Sequence, residues 1–158
     1  MDKLDCKILE ILQADASIGL ADLATRVGLS TTPCWRRVQR LKDLKVIRAQ
    51  VALCDPAQLN LGLTAFVTIR AARHDDDWTR RFLDGVAAIP EVLEAYRMAG
   101  DVDYLLKVVV SDIAGYDRVY KRLIKVAELT DVSSGFVMEV VRYTTALPLD
   151  HVRAGVAR

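Results

Sequence analysis

The first third of the chain carries hydrophobic residues at helical spacing in three successive stretches. They recur every three or four residues in three sets: Leu4, Ile8, Ile11 and Leu12; Leu20, Leu23, Ala24 and Val27; Cys34, Val38 and Leu41. Gly28 follows the second set and suits the residue that ends a helix in a left-handed conformation. Pro33 suits the first position of the third helix, with Thr32 as its N-cap. The pattern therefore predicts three short helices, the last two joined by a glycine-containing turn.

From Leu63 the spacing changes to an alternation of inward and outward positions, which is typical of a strand. The first such strand starts at Leu63. Further strands are predicted at Val46–Leu53, Val92–Met98, Tyr104–Val110 and Phe136–Tyr143, and helices at Asp77–Ala88 and after Ser111 or Asp112. From residue 61 the order is β-α-β-β-α-β, that of a ferredoxin-like sandwich. With Asn60-Leu61-Gly62 as a hinge, we expect an α+β fold of two domains, residues 1–60 and 61–158.

The charge of the chain is nearly balanced overall but not locally. The 158 residues include 22 Lys and Arg against 21 Asp and Glu, a formal net charge of +1, and 52% are hydrophobic, which excludes a disordered chain. Residues 31–48, however, hold six basic side chains against Asp43 alone, a local charge of +5. Two domains this small bury modest cores, so we expect stability to come partly from self-association.

The basic segment coincides with the third predicted helix, whose outer face has the chemistry of a DNA-reading surface. At 100° per residue, the apolar stripe falls on one side, Thr32, Arg36, Gln39 and Arg40 on the other, and Trp35 and Arg37 on the flanks. Arg can pair with guanine and Gln with adenine in the major groove. Lys42, Lys45 and Arg48 would lie near phosphates. The residues expected to contact DNA are Thr31, Thr32, Trp35, Arg36, Arg37, Gln39, Arg40 and Lys45. The alternative is a solvated basic face of a structural helix.

Other chemistry finds little support in the sequence. The start is polar and no apolar run approaches the roughly 18 residues of a membrane span. Cys6, Cys34 and Cys54 form no C-x-x-C motif, which favours reduced thiols in a cytoplasmic protein. His74 and His151 lie far apart and lack metal-ligand spacing. We therefore expect no metal site.

Three stretches of the chain resemble the Lrp/AsnC, or feast/famine, family of transcription regulators. They are TTPCWRRVQRLK from Thr31 to Lys42, AGDVDYLLKVVVSD from Ala99 to Asp112, and VMEVVRYTTALPL from Val137 to Leu149. The resemblance implies an N-terminal winged helix-turn-helix that binds double-stranded DNA. It also implies a C-terminal domain that binds an amino acid and assembles dimers, commonly into octamers. It implies no enzymatic activity and no cofactor other than the amino-acid effector. Thr31–Trp35, Leu61–Val67 and Tyr143–Pro148 further resemble the branch linked to cysteine sensing and detoxification.

A free amino acid needs acceptors for its ammonium group and donors for its carboxylate. Asp101 and Asp103 follow Gly100 in a predicted turn, and carboxylates two residues apart can converge on one ammonium. The resemblance places the effector pocket around this turn, between dimers. The expected effector contacts are Met98, Ala99, Gly100, Asp101, Val102, Asp103, Tyr104, Ser133 and Ser134. The alternative is that Gly-Asp-x-Asp is ordinary turn chemistry between two strands.

The sequence thus predicts a DNA-binding regulator that responds to a small amino acid, with cysteine the first candidate and leucine, methionine or alanine next. In the proposed mechanism, the ligand favours one quaternary arrangement and so changes the spacing of the DNA-binding domains. One alternative is a nucleoid-type architectural protein with little ligand response. Another is a ferredoxin-like enzyme, although no nucleophile–base pair supports it.

Overall fold

A computed structural model describes residues 1–155, and they form two compact units. The first unit is Met1–Ala52 together with the C-terminal segment from Arg142, and the second is Leu53–Val141. This division differs from the one expected, which ran between residues 60 and 61 and assigned the C-terminal segment to the second domain. No helix among the described residues is both long enough and apolar enough to cross a membrane.

The first unit is built on three helices: α1 (Lys3–Ala14), α2 (Leu20–Val27) and α3 (Thr31–Asp43). They bury the three predicted apolar stripes against one another, and the core residues are Ile8, Leu9, Leu23, Ala24, Val27, Cys34, Val38 and Leu41. Two of the three thiols, those of Cys6 and Cys34, are buried, whereas Cys54 is exposed. The predicted helices are therefore confirmed.

The turn between α2 and α3 explains why α3 begins where it does. Gly28 ends α2 with a φ of 73°, a left-handed conformation that glycine adopts without steric cost. Ser30 is the N-cap of α3, so the prediction of Thr32 as N-cap is wrong by two residues. Pro33 falls in the first turn, where backbone N–H groups have no partner within the helix, and its missing N–H therefore costs nothing.

The C-terminal segment returns to α1. The side-chain amide of Gln13 donates to the Leu147 carbonyl (3.2 Å) and accepts from the Leu147 N–H (2.7 Å). Leu149 packs against the helical core, and a short helix, α6 (Asp150–Gly155), lies next to α1. The segment therefore belongs to the hydrophobic core of the first unit.

The second unit is a four-stranded antiparallel sheet with two helices. Its elements are a 3-10 turn (Ala57–Leu59), β1 (Leu63–Ala71), α4 (Asp76–Ala87), β2 (Val92–Arg97), β3 (Tyr104–Val110), α5 (Ile113–Val126) and β4 (Leu129–Phe136). The strand order is β2-β3-β1-β4 and all three pairings are antiparallel. This arrangement is the predicted ferredoxin-like sandwich. As predicted, Asp112 caps α5, because its carboxylate accepts the Gly115 N–H at 2.6 Å.

One face of the sheet is packed and the other is open. Alternate residues of β1 (Ala65, Val67 and Ile69) are fully buried against α4 and α5. Trp78 and Phe82 of α4 stack with ring centroids 5.0 Å apart, and Trp78 Nε1 donates to the Glu128 carbonyl at 2.8 Å. The residues of β1 that alternate with this buried set, such as Phe66, point to the open face.

Two predicted strands are wrong. Val46–Leu53 has no regular structure, and the last strand is Leu129–Phe136 rather than Phe136–Tyr143. A strand forms only beside a hydrogen-bonding neighbour, and neither stretch forms a ladder with another part of the described chain. The observed β4 is polar and contains a glycine, so its pattern gave little signal, yet β1 pairs with it from Ala65 to Ala71.

Candidate DNA-binding and effector sites

The outer face of α3 presents a compact set of exposed side chains. Thr31, Thr32, Trp35 and Arg36 are exposed, and Gln39 is half-buried. Trp35 retains 49% exposure although it is a large aromatic residue, and Arg36 makes no ion pair within residues 1–155. All five predicted residues are therefore at least partly exposed, with Thr32, Arg36 and Gln39 on the side away from the buried stripe and Trp35 on a flank.

Two of the predicted DNA-contacting arginines are instead engaged with α1. Arg37 Nη1 donates to Asp2 Oδ2 at 2.6 Å and to Asp5 Oδ1 at 2.8 Å, while Arg40 Nη2 donates to Asp5 Oδ2 at 2.5 Å. We call these four residues the acidic–basic cluster. Sequence reasoning missed it, because its members lie 32 to 35 residues apart. The only local signal was Asp2 and Asp5 at the spacing of a capping box.

The acidic–basic cluster is also the N-cap of α1. Asp2 accepts the Asp5 N–H and Asp5 accepts the Asp2 N–H, both at 2.9 Å. The Asp5 N–H is the main cause that lowers the pKa of the Asp2 carboxyl, with Arg37 adding to it, and the Asp2 carboxylate in turn raises the pKa of Arg37. A lowered carboxyl pKa adds stability above the ordinary aspartate pKa, and this stability is lost as the pH falls through the lowered value.

Past the end of α3, three cations surround an open groove of about 330 Å³. It is lined by Lys42, Lys45, Ile47, Arg48, Ala49 and Gln50. Lys45 adopts a φ of 57°, which only a few non-glycine residues do, and the turn is closed by its N–H bonding to the Lys42 carbonyl at 2.9 Å. The three cations therefore lie together around one groove at the C-terminal end of α3.

The turn between β2 and β3 has the left-handed glycine that its sequence suggested. Gly100 has a φ of 121°, and a Cβ there would meet nothing within 4 Å. The Met98 N–H donates to the Asp103 carbonyl at 2.8 Å, and the Asp103 N–H donates to the Ile69 carbonyl at 2.9 Å. The backbone N–H groups of Met98 and Asp103 are therefore already used, and those nearer Gly100 remain the candidates for a ligand carboxylate.

The two aspartates of this turn differ in environment. Asp103 Oδ2 accepts the Ala71 N–H at 2.8 Å, next to the irregularity at Arg70 and Ala71 in the β1–β4 pairing. Asp103 Oδ1 lies 3.8 Å from His74 Nδ1, a neighbour that sequence reasoning did not associate with the turn. Asp101 is exposed, and within residues 1–155 its carboxylate makes no hydrogen bond or ion pair. The Asp103 carboxylate thus bonds the backbone at the end of β1, whereas the Asp101 carboxylate is available to a ligand.

The remaining predicted effector residues are dispersed. Tyr104 is buried in the core, Val102 is half-buried, and Met98 and Ala99 are exposed beside the turn. Ser134 faces α5, where its hydroxyl bonds with that of Tyr116, and Ser133 points to the opposite side of the sheet. Ser133 pairs with Thr68 and Ser134 with Val67, on the rows of Leu105 and Leu106, which lie two and three residues past the turn. Within one chain they are therefore not brought to Gly100–Asp103.

Comparison with known proteins agrees with this geometry. Residues 1–42 match the AsnC-type helix-turn-helix domain, and residues 64–147 match the Lrp/AsnC ligand binding domain. The transcriptional activator DecR of Escherichia coli is 48% identical over 95% of this chain and 99% of its own length. The chain belongs to the Lrp/AsnC family. It is a DNA-binding transcription regulator with an amino-acid-binding domain, and the named relatives are regulators rather than enzymes.

Solved structures of other Lrp/AsnC proteins share the fold over nearly the whole chain. An AsnC family regulator from Agrobacterium tumefaciens superimposes with a TM-score of 0.92 and is 58% identical, covering 96% of this chain and 99% of its own. A transcriptional regulator from Neisseria meningitidis, solved as a complex with L-Met, also has a TM-score of 0.92 and is 36% identical at the same coverage.

Among the described residues, no cluster of side chains has the composition of a metal site.

Proposed function

We propose that this Lrp/AsnC regulator reads DNA with the exposed face of α3 and changes its assembly or DNA binding when a small amino acid binds near Gly100–Asp103. The observation that carries the first half is the geometry of α3. One side is buried in the helical core, and the other presents Thr31, Thr32, Trp35 and Arg36 to solvent. A helix exposed in this way fits the major groove.

The proposed DNA contacts divide into two kinds. Arg36 and Gln39 contact base edges, where Arg pairs with guanine and Gln with adenine. The cations of the groove past α3, Lys42, Lys45 and Arg48, lie against the phosphate backbone, which attracts any DNA sequence. Sequence preference therefore depends on the helix and general affinity on the groove.

Arg36→Ala should reduce the preference for a specific site, because a good base contact is worth about 1–3 kcal/mol of discrimination. Lys45→Ala removes the charge but leaves a residue other than glycine at the left-handed position of the turn. It should weaken the affinities for specific and for random DNA about equally. The measurement is fluorescence anisotropy with a duplex enriched by the wild-type protein from a random library and with a random-sequence duplex. An unchanged affinity ratio for Arg36→Ala would disprove the placement of the reading face.

The proposed effector is a small amino acid, with cysteine tested first and leucine, methionine and alanine next. Asp101 supplies an uncommitted carboxylate for the ammonium group, and backbone N–H groups near Gly100 suit the ligand carboxylate. The L-Met complex of the Neisseria regulator, a relative with the same fold, supports methionine as a member of this set.

Self-association is the third part of the proposal, as a dimer that assembles further to an octamer. The open face of the sheet carries Phe66 (40% exposed) and Tyr96 (49% exposed) on neighbouring rows, with the Glu94–Lys107 ion pair of 2.9 Å between them. Antiparallel sheets of this kind bury such a face against a second sheet.

We therefore expect a dimer or larger species at micromolar concentration, and Phe66→Glu should shift it toward monomer because it places a charge on the buried face. Light scattering coupled to size-exclusion chromatography measures both masses. Phe136→Glu, on the other side of the sheet, is the matched control. A wild-type monomer whose mass does not change with concentration would overturn the assembly and the mechanism that needs it.

The mechanism is linkage between the two sites. A ligand that binds one quaternary arrangement more tightly shifts the population toward it and thereby alters the spacing of the DNA-binding units. A cytoplasmic protein that meets both DNA and free amino acids fits this role. If amino acids change neither the oligomer mass nor the affinity for the enriched duplex, the architectural DNA-binding alternative replaces the proposal.

A further inference from the structure

Asp5 is the one charged residue that is fully buried among those whose burial the structure describes. A buried carboxylate costs several kcal/mol unless it is paired and hydrogen-bonded. Asp5 meets that condition with the Asp2 N–H on one side and with Arg37 and Arg40 of α3 on the other. Its presence in the helical unit therefore depends on two residues of the DNA-reading helix.

The two arginines are held differently. Arg37 Nη1 is shared by the Asp2 and Asp5 carboxylates, and its side chain is only 27% exposed. Arg40 is bonded through Nη2 alone, and its side chain is 53% exposed. Since a guanidinium carries five N–H donors, Arg40 keeps donors for other partners while Asp5 anchors its Nη2.

The acidic–basic cluster also changes the charge that DNA meets. The local charge of +5 over residues 31–48 counts both Arg37 and Arg40. Asp2 and Asp5 place two negative charges directly against them, which weakens attraction to phosphates of any sequence. A protein gains specificity when general attraction falls and an oriented base contact is kept.

We propose that Asp5 is a positioning residue for DNA recognition: it orients the guanidinium of Arg40 toward DNA and, together with Asp2, withdraws Arg37 from phosphate contact. The proposal rests on the placement of the DNA-reading face on α3 given above. A pre-oriented guanidinium loses less conformational freedom on binding, so the contact discriminates more strongly.

Asp5→Asn tests the proposal, because the amide keeps the shape of the side chain and removes its charge. Affinity for the enriched duplex should fall by about fivefold or more, which is the smallest loss expected when one base contact is removed. Affinity for the random duplex should hold or rise, and the slope of log affinity against log salt should steepen by about one. Asp22 is an exposed carboxylate in the first turn of α2, and Asp22→Asn is the charge-matched control. It should change neither the ratio of the affinities for the two duplexes nor the slope of log affinity against log salt.

Asp2→Asn separates positioning from a purely structural role. Asp2 contacts Arg37 but not Arg40, and its side chain is 47% exposed, whereas that of Asp5 is fully buried. This variant should raise the affinity for the random duplex and leave the affinity for the enriched duplex nearly unchanged. It also decides the proposal if Asp5→Asn is too unstable to measure, because an unchanged random-duplex affinity would then contradict the release of Arg37.

A double-mutant cycle with Arg40→Gln shows whether Asp5 acts through Arg40. If it does, Asp5→Asn causes no further loss of specific affinity in the Arg40→Gln protein. Additive losses, or parallel losses on both duplexes with a lowered melting temperature, would overturn the proposal. Arg36→Ala is run beside these variants. A loss of preference in Arg36→Ala without one in Asp5→Asn rejects only the role of Asp5, whereas no loss in either rejects the DNA-reading face itself.

Discussion

Trp78→Ala is expected to lower the free energy of unfolding by about 3–5 kcal/mol, the usual cost of removing a buried large aromatic side chain. Trp78 is 1% exposed, stacks on Phe82 and bonds to the Glu128 carbonyl across the second unit. Its loss opens a cavity between α4 and the sheet and removes one of the two donors to that carbonyl, which also accepts the Ala72 N–H at 3.3 Å. Urea denaturation followed by circular dichroism, at fixed protein concentration, measures the change.

Two control variants separate the contributions. Trp78→Phe keeps an aromatic ring for the stack but removes the indole N–H, and should cost about 1–3 kcal/mol. Trp35→Ala removes the other tryptophan, which is half-exposed on α3, and should change stability by about 0.5 kcal/mol or less. Similar losses for Trp35→Ala and Trp78→Ala would show that the core is not organised around α4 as described.

The second large effect concerns the effector. Asp101→Asn should weaken amino-acid binding by about 2–5 kcal/mol, because it removes the charge that pairs with the ligand ammonium in the proposed site. Stability should barely change, since the Asp101 carboxylate is exposed and makes no bond within the described chain. Calorimetric titration with L-cysteine under reducing conditions, and then with L-methionine, measures the affinity.

Asp103→Ala is the comparison, and the structure predicts a different outcome for it. The Asp103 carboxylate accepts the Ala71 N–H, so a side chain without an acceptor should cost about 1–3 kcal/mol of stability. 3-Mercaptopropionate, which lacks the ammonium group of cysteine, should bind wild type and Asp101→Asn equally weakly. If Asp101→Asn and Asp103→Ala both retain tight binding of both amino acids, the two aspartates are turn residues only and the effector lies elsewhere.

The helices of the first unit could be predicted because their signals are local. The stripe of Cys34, Val38 and Leu41 indicated the buried side of α3, and Gly28 indicated the end of α2; both are confirmed. A helix satisfies its own backbone hydrogen bonds, so spacing and end residues nearly suffice to place it. The family, and with it DNA binding and an amino-acid-binding domain, followed from motifs that are also local.

Strands depended on what lies beside them. β1 and β3 were predicted correctly because each is buried and strongly apolar, whereas β4 was placed seven residues too late. Its backbone hydrogen bonds go to β1, and only the folded chain decides which segment fills that edge.

The same distinction separates the site residues. From the sequence alone, Arg36 and Arg40 are equivalent cations on the outer side of one helix, with Arg37 on its flank, and Asp101 and Asp103 are equivalent carboxylates in one turn. Tertiary structure makes them different: Asp2 and Asp5 hold Arg37 and Arg40, and the Ala71 N–H holds Asp103. The sequence by itself determined which chemistry the chain carries and on which helix and turn. Which of those charges face solvent depends on pairing between residues more than thirty positions apart, and only the tertiary structure decided it.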